Sequence, residues 1–226
     1  MNILWPQFAV AVVLLWLPRQ WLRAGVRFFK RRRNKGRSWF PGDRPDLDAG
    51  SRDHTIYFRT EFTKFRNYVD FFRASIGGVA IIGGIADIHP AMQAPGDASE
   101  LHIAMVQWAR IAVLLVGVLI QSFRFEKKAA MFPPIFYLTG LTLGLCGIEV
   151  AFFAVVLTWA INTVLPGPTA FLSLYALLIG AFGYMLQENI GESVYCAVGL
   201  VFLPALISLL AKRRLVHFSK KVKADG

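Results

Sequence analysis

"ELHIAMVQWARIAVLLVGVLIQSF" occupies residues 100–123, and the whole fold turns on how it is read. From Ile103 to Phe123 it has the length of a bilayer crossing, about 20 apolar residues. Its second half, "IAVLLVGVLI" (111–120), has no polar position at any phase of a helical turn, so no face of it is made for water. Arg110 nevertheless sits inside the segment. A guanidinium at the bilayer centre costs roughly 2.5–3.5 kcal/mol even on the lenient insertion scale, so Arg110 requires a partner or a task.

The rest of the chain repeats the pattern. Of its 226 residues 55% are hydrophobic and only 17% charged, and apolar runs alternate with short polar ones. "VAFFAVVLTWAI" (150–161) is as uniformly apolar as 111–120. A soluble core helix would keep a polar stripe, and an outer-membrane barrel would alternate polar and apolar residues along each strand. Neither pattern is present. The expected fold class is all-α, a polytopic helical integral membrane protein. Cys146 and Cys196 lie in apolar segments without metal-type spacing and read as small buried residues.

The basic residues order the segments. "NILWPQFAVAVVLLWLP" (2–18) has no Lys or Arg before it and nine between Arg19 and Arg37, the reverse of a secretory signal. It is read as an uncleaved first span with its N-terminus outside, Trp5 and Trp16 marking the interfaces. A cytoplasmic arm (19–73) follows, then spans at 74–92 and 103–123 joined by the acidic "QAPGDASELH" (93–102). After the basic turn "RFEKKAA" (124–130), an apolar expanse runs from Met131 to Gln187 with Glu149 as its one charge. A break near "GLCGIE" (144–149) and the turn "PGPT" (166–169) divide it into spans 131–147, 149–165 and 169–187. A last span, 194–211, completes a six-span bundle over 74–211 and leads into the basic tail 212–226.

Loop charge selects that division. One helix over 131–165 would leave either 124–130 or the tail outside, whereas the break puts both inside. About seven transmembrane helices, N-terminus out and C-terminus in, place 24 of the 25 Lys and Arg residues on the cytoplasmic side, Arg110 being the exception. Asp97, Glu100, Glu149, Glu188 and Glu192 fall outside. Asymmetry of this kind sets orientation, and the expected location is a bacterial cytoplasmic (inner) membrane.

This arrangement offers Arg110 a partner. Spans two and three are antiparallel neighbours, with Asp87 and Arg110 roughly 8 and 10 Å below the outer surface at about 1.5 Å per residue. The expectation is an intramembrane ion pair. It either locks two helices or belongs to an outward-facing polar site with His89, Glu149 and Glu188, suited to a proton, cation or small solute. His89 and His102 match no ligand spacing, so no metal site and no cofactor is expected. In "GGVAIIGG" (77–84), Gly77, Gly78, Ala80, Gly83 and Gly84 form a small-residue face that would let helices approach closely.

The arm has two helical patterns. "RQWLRAGVRFFKRRRNKGR" (19–37) carries Leu22, Val26 and Phe29 on one stripe and Arg19, Arg23 and Arg27 on another, continuing into Lys30, Arg31, Arg32 and Arg33. This is the pattern of an interfacial helix on an anionic leaflet, so anionic lipid rather than nucleic acid is the expected partner. After the irregular linker 38–52, "TIYFRTEFTKFRNYVDFFR" (55–73) sets Phe58, Phe62, Phe65, Val69 and Phe72 at helical spacing. An amphipathic helix feeding span two is expected there. It would pack on the protein's own cytoplasmic face or dock a partner through Phe58, Phe62, Phe65 and Phe72.

No Walker loop, paired metal-binding cysteines, HExxH or GxSxG occurs, no soluble part is large enough for a catalytic domain, and no repeat relates the two halves. No enzyme is expected. Two functional classes remain. One is a non-enzymatic membrane subunit, a scaffold or effector acting through helix packing, anionic lipid and a partner at its arm, with other membrane subunits or a second copy as associates. The other is a small oligomeric transporter or channel built on Asp87, Arg110 and Glu149.

Overall fold

The computed structural model describes residues 2–18, 61–83, 89–94, 99–125, 129–186 and 191–211. Among them are six α-helices: α1 (Trp5–Trp16), α2 (Phe65–Ile82), α3 (Glu100–Ser122), α4 (Ile135–Ile161), α5 (Pro168–Leu186) and α6 (Glu192–Leu210). Two small antiparallel ladders accompany them, β1 (Asn2–Ile3) with β2 (Met92–Gln93), and β3 (Phe123–Phe125) with β4 (Ala129–Met131). By length and composition α3, α4 with the 3-10 turn that extends it to Val164, α5 and α6 can each cross a membrane; α1, at 12 residues, is shorter.

Helix α4 is not a straight rod. Gly147 has φ 83° and ψ 173°, a conformation open essentially to glycine alone. In a straight helix Phe136 and Trp159 would stand about 34 Å apart at ~1.5 Å per residue. Their ring centroids are 6.5 Å apart. The helix therefore doubles back at Gly147, inside the 144–149 stretch, into antiparallel arms 135–146 and 148–161. Phe62 closes the open end of this hairpin, 5.0 Å from the Phe136 ring and 5.3 Å from that of Trp159. At the tip, the Cys146 Sγ lies 3.9 Å from the Ser193 carbonyl oxygen at the start of α6.

Cross-contacts give the direction of each rod. Leu17 meets Arg73 while Ala11 and Leu15 meet Gly77, so α2 runs antiparallel to α1. Leu17 also meets Gln121 and Leu15 meets Gly117, with α3 parallel to α1. Phe71 faces Gly140 and Ser75 faces Gly144, which sets the first arm of α4 parallel to α2. The ring pairs Phe153–Phe182 and Trp159–Phe171 make α5 antiparallel to the second arm. Gly183 against Val194 and Gly180 against Val198 make α6 antiparallel to α5. Seven rods thus alternate along the described chain. The end at which α1, α3 and α6 begin is called upper below, and the opposite end lower.

The closest seam joins α2 to the first arm of α4. A Cβ at Gly140 would stand 2.1 Å from the Phe71 carbonyl oxygen, and one at Gly144 would stand 2.7 Å from that of Ser75. Backbone touches backbone there, which the Gly-x-x-x-Gly spacing of 140–144 permits. Helix α1 is held differently: the buried Leu15 side chain nests against Gly77 of α2, and its Cβ rests beside Gly117 of α3.

Helix α2 corrects two expectations about position and face. Span two was expected over 74–92, but the helix begins at Phe65 and ends at Ile82, where Gly83 caps it with φ 74°. The chain then turns back, for the Ala91 N–H donates to the Ala80 carbonyl and the Leu4 N–H to that of Ala91. The amphipathic helix expected over 55–73 is interrupted at 63–64, between the helical residues 61–62 and α2. Its faces are also reversed. Phe65 and Phe72 are 79% and 58% exposed, whereas Asn67, Asp70 and Arg73 are only 1%, 2% and 5% exposed. The polar side chains turn inward because they bond one another and the carbonyls at the end of α1. Trp16, the last residue of α1, is half-buried, its Nε1 donating to the Val113 carbonyl at 2.9 Å.

Candidate functional site

The largest polar constellation among the described residues gathers where α1 ends. The last turn of any helix leaves carbonyls without intrahelical donors, and α1 has no basic residue of its own there. Neighbouring helices supply the donors. Arg73 of α2 donates from Nη1 to the Leu17 carbonyl, and reaches that of Leu14 at 3.4 Å. Gln121 of α3 donates from Nε2 to Leu17 at 2.9 Å and to Leu15 at 3.3 Å. The Tyr137 hydroxyl of α4 donates to Leu15 at 3.1 Å.

These groups also bind one another. Arg73 Nε and Nη2 lie 3.0 and 2.8 Å from Asp70 Oδ1, and Nη2 donates to Gln121 Oε1 at 2.8 Å. The guanidinium carbon sits 5.4 Å from the Tyr137 ring centroid, a cation–π distance. A buried ion pair is tolerable only with its remaining donors satisfied, and all three guanidinium nitrogens are satisfied here. The chemistry of this knot is cohesion: one cation bridges α1, α2, α3 and α4. Just below it Asn67 Nδ2 donates to the carbonyl oxygen and to Oε2 of Glu61, both at 2.8 Å, and Lys64 pairs with Glu61. The break at 63–64 is therefore clasped to the foot of α2.

Arg110 finds a backbone partner. Its Nε and Nη2 both donate to the Met92 carbonyl, Nε at 3.1 Å. Met92 belongs to β2 and pairs with Ile3, so the guanidinium ties α3 to the upper turn and the N-terminal strand. Glu192 at the head of α6 is within electrostatic range. The pairing with Asp87 was expected from a helix reaching residue 92; α2 ends at Ile82, and Asp87 lies outside the described residues, as does Glu188. His89 and Glu149 are exposed, and neither makes a described hydrogen bond to Arg110. His102 Nδ1 is 2.8 Å from the Ser99 hydroxyl on the surface. Among the described residues no three His, Cys, Asp or Glu side chains gather as a metal set.

The remaining predicted positions divide by location. Gly77 and Gly78 are buried in the seams of α2 with α1 and α4; Ala80 is half-buried, Gly83 caps α2, and Gly84 lies outside the described residues. Phe62 is engaged in the hairpin cluster, Phe65 and Phe72 face outward, and Phe58 lies outside the described residues. Arg19, Arg23, Arg27, Lys30, Arg31, Arg32 and Arg33 also lie outside them. Sequence reasoning missed Asp70, Arg73, Gln121 and Tyr137. The i, i+3 spacing of Asp70 and Arg73 is present in the sequence, but only the Phe stripe of 55–73 reads as a packing face.

Comparison of the chain with protein-family models, with curated proteins and with solved structures found no match.

Proposed function

We propose that the protein is a non-enzymatic multi-pass subunit of a bacterial cytoplasmic membrane, a scaffold with seven spans, N-terminus out and C-terminus in. The observation that carries this reading is the Arg73 knot. Its charged and polar groups are spent on one another and on the carbonyls of α1, so they hold helices together and do not line a path. A transport reading has no such support: both donating nitrogens of Arg110 are directed at the Met92 carbonyl.

Alternating rods support the topology. Connections leaving the lower end carry the basic stretches 19–37, 124–128 and 212–214, while Glu100, Glu149 and Glu192 belong to the upper end. That is the basic-residue asymmetry expected of a cytoplasmic lower side. The α4 arms measure about 18 and 21 Å at ~1.5 Å per residue, against a ~30 Å hydrocarbon core. Flanking residues 131–134 and 162–166 extend them, and modest local thinning of the bilayer covers the rest. Partner contact then involves the outward Phe65–Phe72 face within the membrane, and the basic arm lies on anionic lipid.

The test is the native mass of the protein after mild extraction from its own membrane, with co-purifying chains identified. A discrete assembly with other membrane proteins is expected. A lone species that moves a solute across vesicle membranes would overturn the proposal.

A further inference from the structure

Helices α3 and α6 run parallel and leave between them a groove of about 530 Å³. Its upper mouth is polar, formed by Gln107 and Glu192. Below the mouth its lining is apolar down to Leu115 and Leu203. Gly199 opens the floor, for a Cβ there would meet nothing within 4 Å.

Length and charge identify the occupant. From Glu192 to Leu203 the groove runs about 16 Å at ~1.5 Å per residue, half of a ~30 Å hydrocarbon core. Half a core is the reach of an acyl chain from one leaflet, whereas a partner helix needs a groove of full thickness. At the mouth, Glu192 is an exposed carboxylate and Gln107 offers an amide oxygen. Arg110, with Nε and Nη2 on the Met92 carbonyl, lies within electrostatic range of Glu192, so the mouth holds a carboxylate beside a guanidinium. Such a mouth suits a headgroup that carries both charges, a phosphate and a cation able to donate hydrogen bonds to the carboxylate.

We propose that this groove holds one acyl chain of a phospholipid from the upper leaflet, whose primary ammonium headgroup donates to Glu192 and Gln107. The site goes beyond the scaffold role and requires only that these helices lie in a bilayer. A quaternary ammonium of the same charge cannot donate, and a glycerol headgroup brings no cation to the carboxylate.

The experiment uses the full chain, delipidated in mild detergent, with phosphatidylethanolamine, phosphatidylcholine and phosphatidylglycerol of identical acyl chains. Native mass spectrometry and thermal melting read retention and stabilisation. Phosphatidylethanolamine is expected to bind about tenfold more tightly than the other two, the effect of roughly one charge-assisted hydrogen bond. Glu192→Gln should bring the three lipids level, and Gly199→Phe, which fills the floor, should abolish retention of all three. Equal binding of the three lipids to the unaltered protein overturns the proposal. So does Gly199→Phe protein that still retains phosphatidylethanolamine, or a Glu192→Gln protein with undiminished preference. Should Gly199→Phe fail to fold, the Glu192→Gln comparison still decides.

Discussion

Arg73 of α2 and Gln121 of α3 share one acceptor, the carbonyl oxygen of Leu17, and are joined to each other at 2.8 Å. Three helices from distant parts of the sequence therefore meet at one backbone oxygen. With Asp70 and Tyr137 added, the end of a short apolar helix is fixed by polar groups that would otherwise be costly in hydrocarbon.

Removing Asp70 should expose how dependent the fold is on that balance. Asp70→Ala leaves Arg73 buried without its counter-charge, which should cost about 3–5 kcal/mol. Gln121→Leu removes a neutral partner and should cost about 1–3 kcal/mol. Replacing the pair together, Asp70→Leu with Arg73→Met, should recover much of the single-mutant loss. Unfolding of the purified protein in detergent micelles measures all three, and a double variant no better than Asp70→Ala would show that the cost is not that of an orphaned charge.

Glycines offer a matched contrast. Gly140→Ala must push apart α2 and α4 at the Phe71 carbonyl and should cost about 1–3 kcal/mol by overpacking. Gly199→Ala meets open space and should be neutral or stabilising by up to ~1 kcal/mol through helix propensity. Equal melting temperatures for the two variants would contradict the close α2–α4 seam.

At the hairpin tip, Gly147→Ala forces a side chain into a backbone region that costs about 1–3 kcal/mol. Lower stability without change of mass or helix content is the expected result by calorimetry and circular dichroism. A stability gain would mean that the backbone at 147 is helical and α4 straight.

Legibility of these features depended on what the surroundings were assumed to be. Helix α3 was readable because 103–123 is apolar on every side and needs no knowledge of its neighbours; its observed bounds are 100–122. The break at Gly147 was readable from two glycines and a glutamate set between apolar runs, together with loop charge. Helix α2 was misplaced because its Phe stripe was taken as the buried face of a helix in water. In the structure that stripe faces outward at Phe65 and Phe72, and Asp70 and Arg73 lie in the core. Gln121 and Tyr137 carried no pattern at all, since their partners are carbonyls of α1, more than a hundred residues away. The Asp87–Arg110 pairing assumed a helix that continues past Ile82, and Asp87 lies outside the described residues.

Arg110 now has a structural assignment that mutation can examine. Arg110→Leu should loosen the β1–β2 corner and lower stability by about 1.5–3 kcal/mol, the scale of a hydrogen bond to a charged group. Apolar replacement of Asp87 and Arg110 together should still leave a scaffold that reaches the membrane and retains its associated chains. Loss of a solute flux with an intact assembly would instead make Arg110 part of a transport site.

The alternation of seven rods is tested most directly by the sidedness of Pro166, exposed in the turn between the second arm of α4 and α5. Pro166→Cys, in a background with Cys146 and Cys196 replaced by alanine, is treated with a membrane-impermeant maleimide in intact and in permeabilised cells. The hairpin at Gly147 puts this turn on the same side as the basic tail, so labelling should require permeabilisation. Labelling in intact cells would place Pro166 outside, and the seven-span arrangement would be wrong.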